Sequence, residues 1–248
     1  MSTSTEQSDK AEFRQEPLLA RINHLAIPPL LLLSLAVLGY GLFDVFYQIR
    51  LPQDGSPTLR ILFLHSAACW LGVGIYVAMT VASVLYLVTS NDYADLVARS
   101  AAPVGSIFTI IALLTGAIWG RSQWGLWWIW DPRLTALLLL FFIYVGYMSV
   151  SQARLISRAN RRISALVAAF GAINVPIIKF SLDWWSGNRL DAKVVYLHEA
   201  VSDPAFLMPS LVLALGLLGL ALIAILLRVE GGFYHQIWME KQLQSASL

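Results

Sequence analysis

Charged residues are scarce in this sequence of 248 residues: Asp, Glu, Lys and Arg together make up 13%, whereas hydrophobic residues make up 58%. The mean hydropathy is +0.66. This composition excludes an ordinary soluble domain, in which about a quarter of the residues are charged. Apolar runs recur along the chain, and each is long enough to cross the ~30 Å hydrocarbon core as a helix. Because lipid-exposed backbone must satisfy its own hydrogen bonds, the sequence predicts an all-α integral membrane protein.

Cysteine is almost absent as well. The single cysteine, Cys69, lies inside an apolar run and excludes an intramolecular disulfide. The sequence also lacks a CxxC pair, a Walker loop and a cluster of metal ligands, and it offers no nucleophile with a neighbouring base. We therefore expect a binding protein rather than an enzyme. The first 26 residues are polar and lack the apolar core of a secretory signal, so the first apolar run is predicted to be an uncleaved span.

The apolar runs divide the chain into three parts. Residues 1–26 are predicted to be a disordered polar tail followed, at 13–25, by a short interfacial helix. Residues 27–227 are predicted to form a six-helix transmembrane domain. Its spans are expected at about 27–43, 61–88, 101–118, 134–150, 163–178 and 209–227. Residues 91–99 are expected to be a polar link, Pro28 and Pro29 to lie in the first turn of span 1, and 228–248 to be a cytoplasmic tail.

The distribution of basic residues predicts the orientation of the spans. Ten of the 17 Lys and Arg residues lie in the termini and in the second and fourth links, and the densest link carries Arg154, Arg158, Arg161 and Arg162. By the positive-inside rule, both termini are then cytoplasmic. The segment 119–132 and the loops that carry His65 and His198 are consequently expected to share the outer face.

The segment Trp119–Pro132 holds five of the nine tryptophans. One or two would be ordinary interfacial anchors, but five exceed what anchoring requires. If the segment is helical, Trp124, Trp127, Trp128 and Asp131 fall within an arc of roughly 100°, and Trp119 and Trp130 fall outside it. Such an apolar shelf suits the face of a macrocycle. Gly120 and Gly125 would allow close approach or a bend, and Asp131 followed by Pro132 is typical of a helix N-cap.

Two histidines on the predicted outer face, His65 and His198, bracket this segment. Axial imidazoles around a planar ring are a common way to hold haem iron. The alternative is that each histidine is only an amphipathic side chain at the interface. Arg121 and Arg133 flank the tryptophans, and either they meet the propionates of a haem or they are ordinary interfacial arginines.

These residues carry a resemblance to a known family. Trp119-Gly120, Trp124-Gly125 and Trp127-Trp128-Ile129-Trp130-Asp131 resemble the WWD signature of cytochrome c assembly proteins, and the chain is similar to the CcmC family among them. The stretches 24–29, 64–65 and 174–178 agree, so the resemblance covers nearly the whole chain. Larger WWD relatives, such as CcmF and the CcsA-type synthases, have more spans than the six predicted here.

The resemblance implies a role in haem handling for cytochrome c maturation, in the bacterial inner membrane, with the haem site facing the periplasm. It implies that b-type haem is bound by the WWD segment and two flanking histidines and is presented to the chaperone CcmE. It also implies association with CcmD and with the CcmA and CcmB subunits of an ABC transporter. Two other functions remain alternatives: a haem permease or channel, and a haem lyase or cytochrome c synthase.

One departure from the family pattern concerns the second histidine. His65 matches the first family histidine. In the family, a Leu-His pair follows the second Trp pair closely, whereas here Ser186-Gly187-Asn188-Arg189 follows Trp185 and Leu197-His198 comes later. We interpret this as an insertion that keeps His198 as the second axial ligand of the iron. The alternative is that this member has lost that ligand.

Overall fold

The structure, a computed structural model, describes residues 3–49, 58–151, 157–185 and 204–246. The part of the chain that it describes is helical and contains no strand. A π-helical turn, Asp44–Gln48, continues the first helix. The helices are α1 (Thr3–Phe43), α2 (Leu59–Thr89), α3 (Asp92–Trp124), α4 (Pro132–Ser151), α5 (Arg158–Gly171), α6 (Asn174–Trp185) and α7 (Pro204–Ala246).

Six helical segments in the described part of the chain are long and apolar enough to cross a membrane, as the sequence predicted. They are Asn23–Gln48, Leu59–Thr89, Asp92–Trp124, Pro132–Ser151, Arg158–Phe180 and Pro204–Met239. The fifth differs from the expectation of one short helix, since it consists of α5 and α6 with a break at residues 172–173. Asn174 begins α6, and its side-chain amide donates to the Ala136 carbonyl of α4 at 2.8 Å. The carbonyl of Ala136 therefore anchors the restart of the helix.

The third span begins nine residues earlier than predicted, at Asp92 instead of Ala101. The stretch 91–99, expected to be a polar link, is the first part of α3. Asn91 is the N-cap, and its side chain accepts a hydrogen bond from the Tyr93 amide at 2.8 Å. Asp92 and Asp95 in the first turn suit the positive end of the helix dipole. Hydropathy marks only the membrane-buried part of a helix, and α3 continues beyond it.

The first and last helices are also longer than their apolar runs. α1 is continuous from Thr3, so residues expected to be disordered are helical and Pro28 and Pro29 lie inside the helix rather than in its first turn. α7 continues to Ala246, through most of the predicted tail. The two helices pack together where Gly216 meets the Leu38 backbone and Gly219 meets Ser34. Small residues permit this close approach.

The core lies between α2, α3, α4 and α5. α2 and α3 are antiparallel, and three buried tyrosines fill the middle layer of the bundle: Tyr76, Tyr144 and Tyr147. The Tyr144 hydroxyl donates to the Gly72 carbonyl and the Tyr76 hydroxyl donates to the Ala168 carbonyl, both at 2.8 Å. Both hydroxyls are thereby satisfied away from water, as burial requires.

Candidate functional site

His65 lies six residues into α2, about 9 Å from the start of the helix. Its side chain faces α3 and is partly buried. The ring atom Nδ1 is 2.9 Å from the Ala112 carbonyl oxygen and 3.3 Å from the Thr115 hydroxyl. On the other side of the ring, Nε2 is 3.5 Å from the Cys69 sulfur. One turn of α3 and one turn of α2 therefore hold the imidazole between them.

The partners of Nδ1 determine the tautomer of the ring. A carbonyl oxygen can only accept, and the Thr115 hydroxyl already donates to the Ile111 carbonyl at 2.6 Å. Nδ1 therefore carries the hydrogen. In a neutral imidazole the lone pair is then at Nε2, the atom with which histidine binds metals when Nδ1 donates to a carbonyl.

The tryptophan segment begins inside α3 and leaves it at Gly125. Trp119 and Trp124 belong to the helix, which ends at Trp124. Gly125 has a positive φ of 74°, and its amide donates to the Arg121 carbonyl at 3.1 Å. This left-handed C-cap favours glycine, because a side chain there would strain the backbone. The sequence predicted that Gly125 would allow a bend, and the structure shows that this bend is the end of α3.

The helical shelf that would place Trp124, Trp127, Trp128 and Asp131 on one face is wrong, because residues 126–131 are not helical. Gly125 ends the helix, and the residue before Pro132 is disfavoured in a helical conformation. The indoles instead form two edge-to-face pairs. Trp119 and Trp124 have ring centroids 4.9 Å apart, and Trp128 and Trp130 have centroids 5.6 Å apart.

The exposure of the indoles separates them into two groups. Trp119 is buried and Trp128 is partly buried, whereas Trp127 and Trp130 are 60% and 77% exposed. Neither the Nε1 of Trp119 nor that of Trp128 has a hydrogen-bond partner among the described residues. Buried indole N–H groups usually find an acceptor. This end of the bundle therefore combines exposed ring surface with two buried indole N–H groups that are unpaired among the described residues.

Gly120 explains how the first indole pair fits. A Cβ atom at Gly120 would lie 3.3 Å from the Trp124 ring and 3.6 Å from the Leu126 carbonyl oxygen. The missing side chain lets the ring of Trp124 fold back over α3. The close approach that the sequence analysis assigned to this glycine is made by a tryptophan of the same segment.

Asp131 is the N-cap of α4, and Pro132 is its first residue, as predicted. The Asp131 carboxylate accepts from the Leu134 amide at 2.8 Å, and its carbonyl accepts from the Thr135 hydroxyl at 2.7 Å. The cap fixes the point at which the tryptophan segment rejoins a helix. It also places Arg133 in the first turn of α4.

The two arginines occupy different positions. Arg121 is exposed in the last turn of α3, and its guanidinium lies 3.8 Å from the position of a Cβ on Gly125. Arg133 is exposed and close enough to both His65 and Cys69 to act on them electrostatically. Arg133 thus lies within electrostatic range of the candidate iron ligand, and Arg121 lies in the last turn of the helix that carries Trp119 and Trp124.

His65 and the tryptophan segment lie at the same end of the bundle. The contact of His65 with Ala112 joins the start of α2 to the last part of α3. Beyond it, the hydroxyls of Thr58 and Ser122 are 2.7 Å apart. The second predicted ligand, His198, lies outside the described residues, and the side chains of Trp184 and Trp185 are not described. In the described part of the chain, no three His, Cys, Asp or Glu residues could hold a metal ion together.

Comparison with known proteins gives the family. The sequence model of the CcmC family, described as "Heme exporter protein C", matches residues 11–244. The chain belongs to the CcmC family. A relative from Bradyrhizobium diazoefficiens named "Heme exporter protein C" is 40% identical over 76% of this chain and 72% of its own length. One from Escherichia coli K12 with the same name is 37% identical over 74% of each chain.

A third relative widens the range of the family. The "Putative cytochrome c biosynthesis ccmC-like mitochondrial protein" of Marchantia polymorpha is 40% identical over 62% of this chain and 67% of its own length. Membership of the CcmC family associates the chain with haem transport and cytochrome c biogenesis, and it agrees with the six membrane-crossing helices.

Sequence reasoning missed the residues around the His65 ring: Cys69, Ala112, Thr115 and Gly116. Two helical patterns in the sequence could have found them. Cys69 follows His65 by four residues, so both lie on one face of α2. Ala112, Thr115, Gly116 and Trp119 follow the spacing i, i+3, i+4 and i+7, which places them on one face of α3 together with the first tryptophan.

Proposed function

We propose that this CcmC family member binds b-type haem at the end of the bundle formed by His65 and the segment Trp119–Pro132. It would then present the haem to the chaperone CcmE. In this proposal, His65 Nε2 is one axial ligand of the iron and His198 is the other. The tryptophans cover the ring, and Arg121 and Arg133 meet the propionates. The protein acts by binding and presentation rather than by catalysis.

The observation that carries the proposal is the placement of His65. Its Nδ1 is occupied by the Ala112 carbonyl and the Thr115 hydroxyl, so its basic nitrogen is Nε2. Nε2 meets the weak thiol donor of Cys69, at the end of the bundle that carries the tryptophan segment. Exposed Trp127 and Trp130 offer flat apolar surface. Arg133 lies near His65, which suits a ligand with a metal at its centre and carboxylates at its rim.

The orientation and partners follow from the charge distribution and the family. With both termini in the cytoplasm, the haem site faces the periplasm of a bacterial inner membrane. The names of the relatives, "Heme exporter protein C", fit a role beside CcmD and the transporter subunits CcmA and CcmB. The exposed indoles of Trp127 and Trp130 lie where a chaperone would have to approach bound haem.

Two other functions receive less support. A haem permease would need a path through the bundle, but the middle layer is filled by Tyr76, Tyr144 and Met79, each of which is fully buried. A haem lyase of the WWD family would be expected to have more spans than the six found among the described residues. Flux of haem into liposomes containing the purified protein alone would favour the permease.

The test is a titration of haem into the purified full-length protein in nanodiscs, followed by the Soret absorption. Loss of a group that merely supports a metal ligand costs about 10–100-fold in affinity, so His65→Ala is expected to weaken haem binding at least about tenfold. His235→Ala is the matched control, because His235 is an exposed histidine of α7 that stacks on Trp238. Equal binding by wild type and His65→Ala would contradict the assignment of His65, and His198→Ala tests the second ligand in the same way.

A further inference from the structure

The α3 turn that contacts His65 includes Gly116, and the lack of a side chain at Gly116 leaves room for the imidazole ring. A Cβ atom at Gly116 would lie 3.0 Å from Cε1 and 3.3 Å from Nδ1 of His65. Contacts of this length are tighter than side chains normally make, so a methyl group there would displace the imidazole. Gly116 is therefore the residue that lets the ring reach the Ala112 carbonyl.

The opposite edge of the ring faces a thiol. Cys69 Sγ is 3.5 Å from Nε2, and both residues are held on the same face of α2. Since Nδ1 carries the ring hydrogen, Nε2 can only accept, and the thiol is the donor. A thiol is a weak donor, so this bond holds the lone pair without binding it tightly.

We propose that the turn Ala112–Gly116 of α3 positions the His65 ring, and that the Cys69 thiol caps Nε2 until an iron atom replaces it. The cradle of Ala112, Thr115 and Gly116 selects the tautomer and the ring orientation, and Gly116 and Thr115 are positioning residues for the ligand. The cap fixes the direction of Nε2 when haem is absent. This inference rests on the proposed function for its haem-binding consequence, but its geometry is testable without haem.

The first test uses haem-free protein labelled with ¹⁵N-histidine in nanodiscs, with the His65 signals assigned by their loss in His65→Ala. Nitrogen shifts distinguish a protonated from an unprotonated ring nitrogen. We expect the wild type to show protonated Nδ1 and unprotonated Nε2. Gly116→Ala should change both His65 shifts, whereas Gly74→Ala should leave them in place, because a Cβ at Gly74 of α2 meets nothing within 4 Å.

Two further variants keep this test informative if Gly116→Ala folds poorly. Thr115→Val removes one acceptor of Nδ1 while keeping the shape of the side chain, and it should shift Nδ1 more than Nε2. Cys69→Ala removes the cap and should shift Nε2 more than Nδ1. A protonated Nε2 in the wild type, or unchanged shifts in all of these variants, would overturn the cradle and the cap.

The second test measures haem affinity. Cys69→Ala should bind haem about two- to tenfold more tightly than the wild type, which corresponds to the net value of one hydrogen bond. Ser66→Ala is the control, since it also removes one side-chain heteroatom from α2 but leaves Cys69 unchanged. Weaker or unchanged haem binding by Cys69→Ala would overturn the cap. Unchanged binding by His65→Ala, with the expected nitrogen shifts, would instead contradict the proposed function and leave the cradle standing.

Discussion

At one end of the bundle, Asp95 is buried and its carboxylate lies 2.9 Å from the Arg99 guanidinium and 3.6 Å from that of Arg161. At the other end, about 36 Å further along α3, the residues are His65 and the tryptophans. There the indole N–H groups of Trp119 and Trp128 have no partner among the described residues. The first end pairs its buried carboxylate with two guanidinium groups, although Arg99 Nη2 has no hydrogen-bond partner among the described residues. The second end instead places an imidazole nitrogen against a weak thiol donor and exposes two indoles. This difference supports the proposal that the ligand binds at the second end.

The stability of the protein should depend more on the ion pairs of the charged end than on the residues of the tryptophan end. Asp95→Ala leaves Arg99 and Arg161 without their buried carboxylate, and we expect it to lower the free energy of unfolding by about 3–5 kcal/mol. The measurement is a denaturant titration of the purified protein in detergent micelles.

Asp92→Ala is the matched control for this change, because Asp92 also pairs with Arg161, at 2.6 Å, but its side chain is 69% exposed. An exposed ion pair contributes about 0–1 kcal/mol. Equal losses in the two variants would show that burial does not distinguish the pairs, and the contrast between the two ends of the bundle would weaken.

The middle layer tests whether the two ends are independent. A Cβ atom at Gly105 would collide with the Tyr144 hydroxyl, so Gly105→Ala should displace Tyr144 from the Gly72 carbonyl and cost about 1–3 kcal/mol of unfolding free energy. Gly146→Ala, where a Cβ meets nothing within 4 Å, should cost nothing. Thermal unfolding of both variants gives the comparison. If Gly105→Ala also weakens haem binding strongly, the ends are coupled through this layer.

Variants of Asp131, the N-cap of α4, can distinguish a role in stability from a role in haem binding at the tryptophan end. Asp131→Ala removes the acceptor of the Leu134 amide and should lower stability by about 1 kcal/mol, whereas Asp131→Asn keeps a capping oxygen and should change stability little. Haem titrations of both variants complete the test. Reduced haem affinity in Asp131→Asn at unchanged stability would show that the carboxylate charge, rather than the cap, serves the ligand.

The smallest stability effect is expected at the exposed indoles. Trp130→Ala should change the free energy of unfolding by no more than about 0.5 kcal/mol, because the side chain is largely exposed, yet it should weaken haem binding. Trp238 of α7, at the charged end, is 55% exposed and provides the control. If Trp238→Ala weakens haem binding as much as Trp130→Ala does, the assignment of the haem site to the tryptophan end is contradicted.

Hydropathy predicted the six membrane-crossing segments because each span needs about 20 consecutive, mostly apolar residues. It could not predict where α3 begins, since Asp92 and Asp95 are unfavourable in lipid but favourable at a helix N-terminus. Nor could it predict the break before Asn174, which depends on the Ala136 carbonyl 38 residues away. Helix ends outside the hydrocarbon follow capping and tertiary contacts rather than apolar content.

The candidate site was predictable to a similar extent. His65, the tryptophans and the Asp131 cap follow from residue types and spacing. The prediction of a helical shelf was wrong because Gly125 ends α3 and α4 begins only at Pro132. Both residues are ordinary signals of a helix end and a helix start, so the sequence contained the information. The contacts of His65 with Ala112 and Thr115 join residues 47 and 50 positions apart. Such contacts require knowledge of how α2 and α3 are aligned.

The link between α2 and α3 is only two residues, Ser90 and Asn91. Ser90 adopts a positive φ of 54°, and its amide donates to the Tyr86 carbonyl at 2.8 Å. A turn this short holds the two helices side by side as a hairpin of consecutive residues. We therefore expect His65 to meet the α3 turn before α4 has been translated, so that the ligand is assembled early in biogenesis and the later helices close around a finished imidazole site.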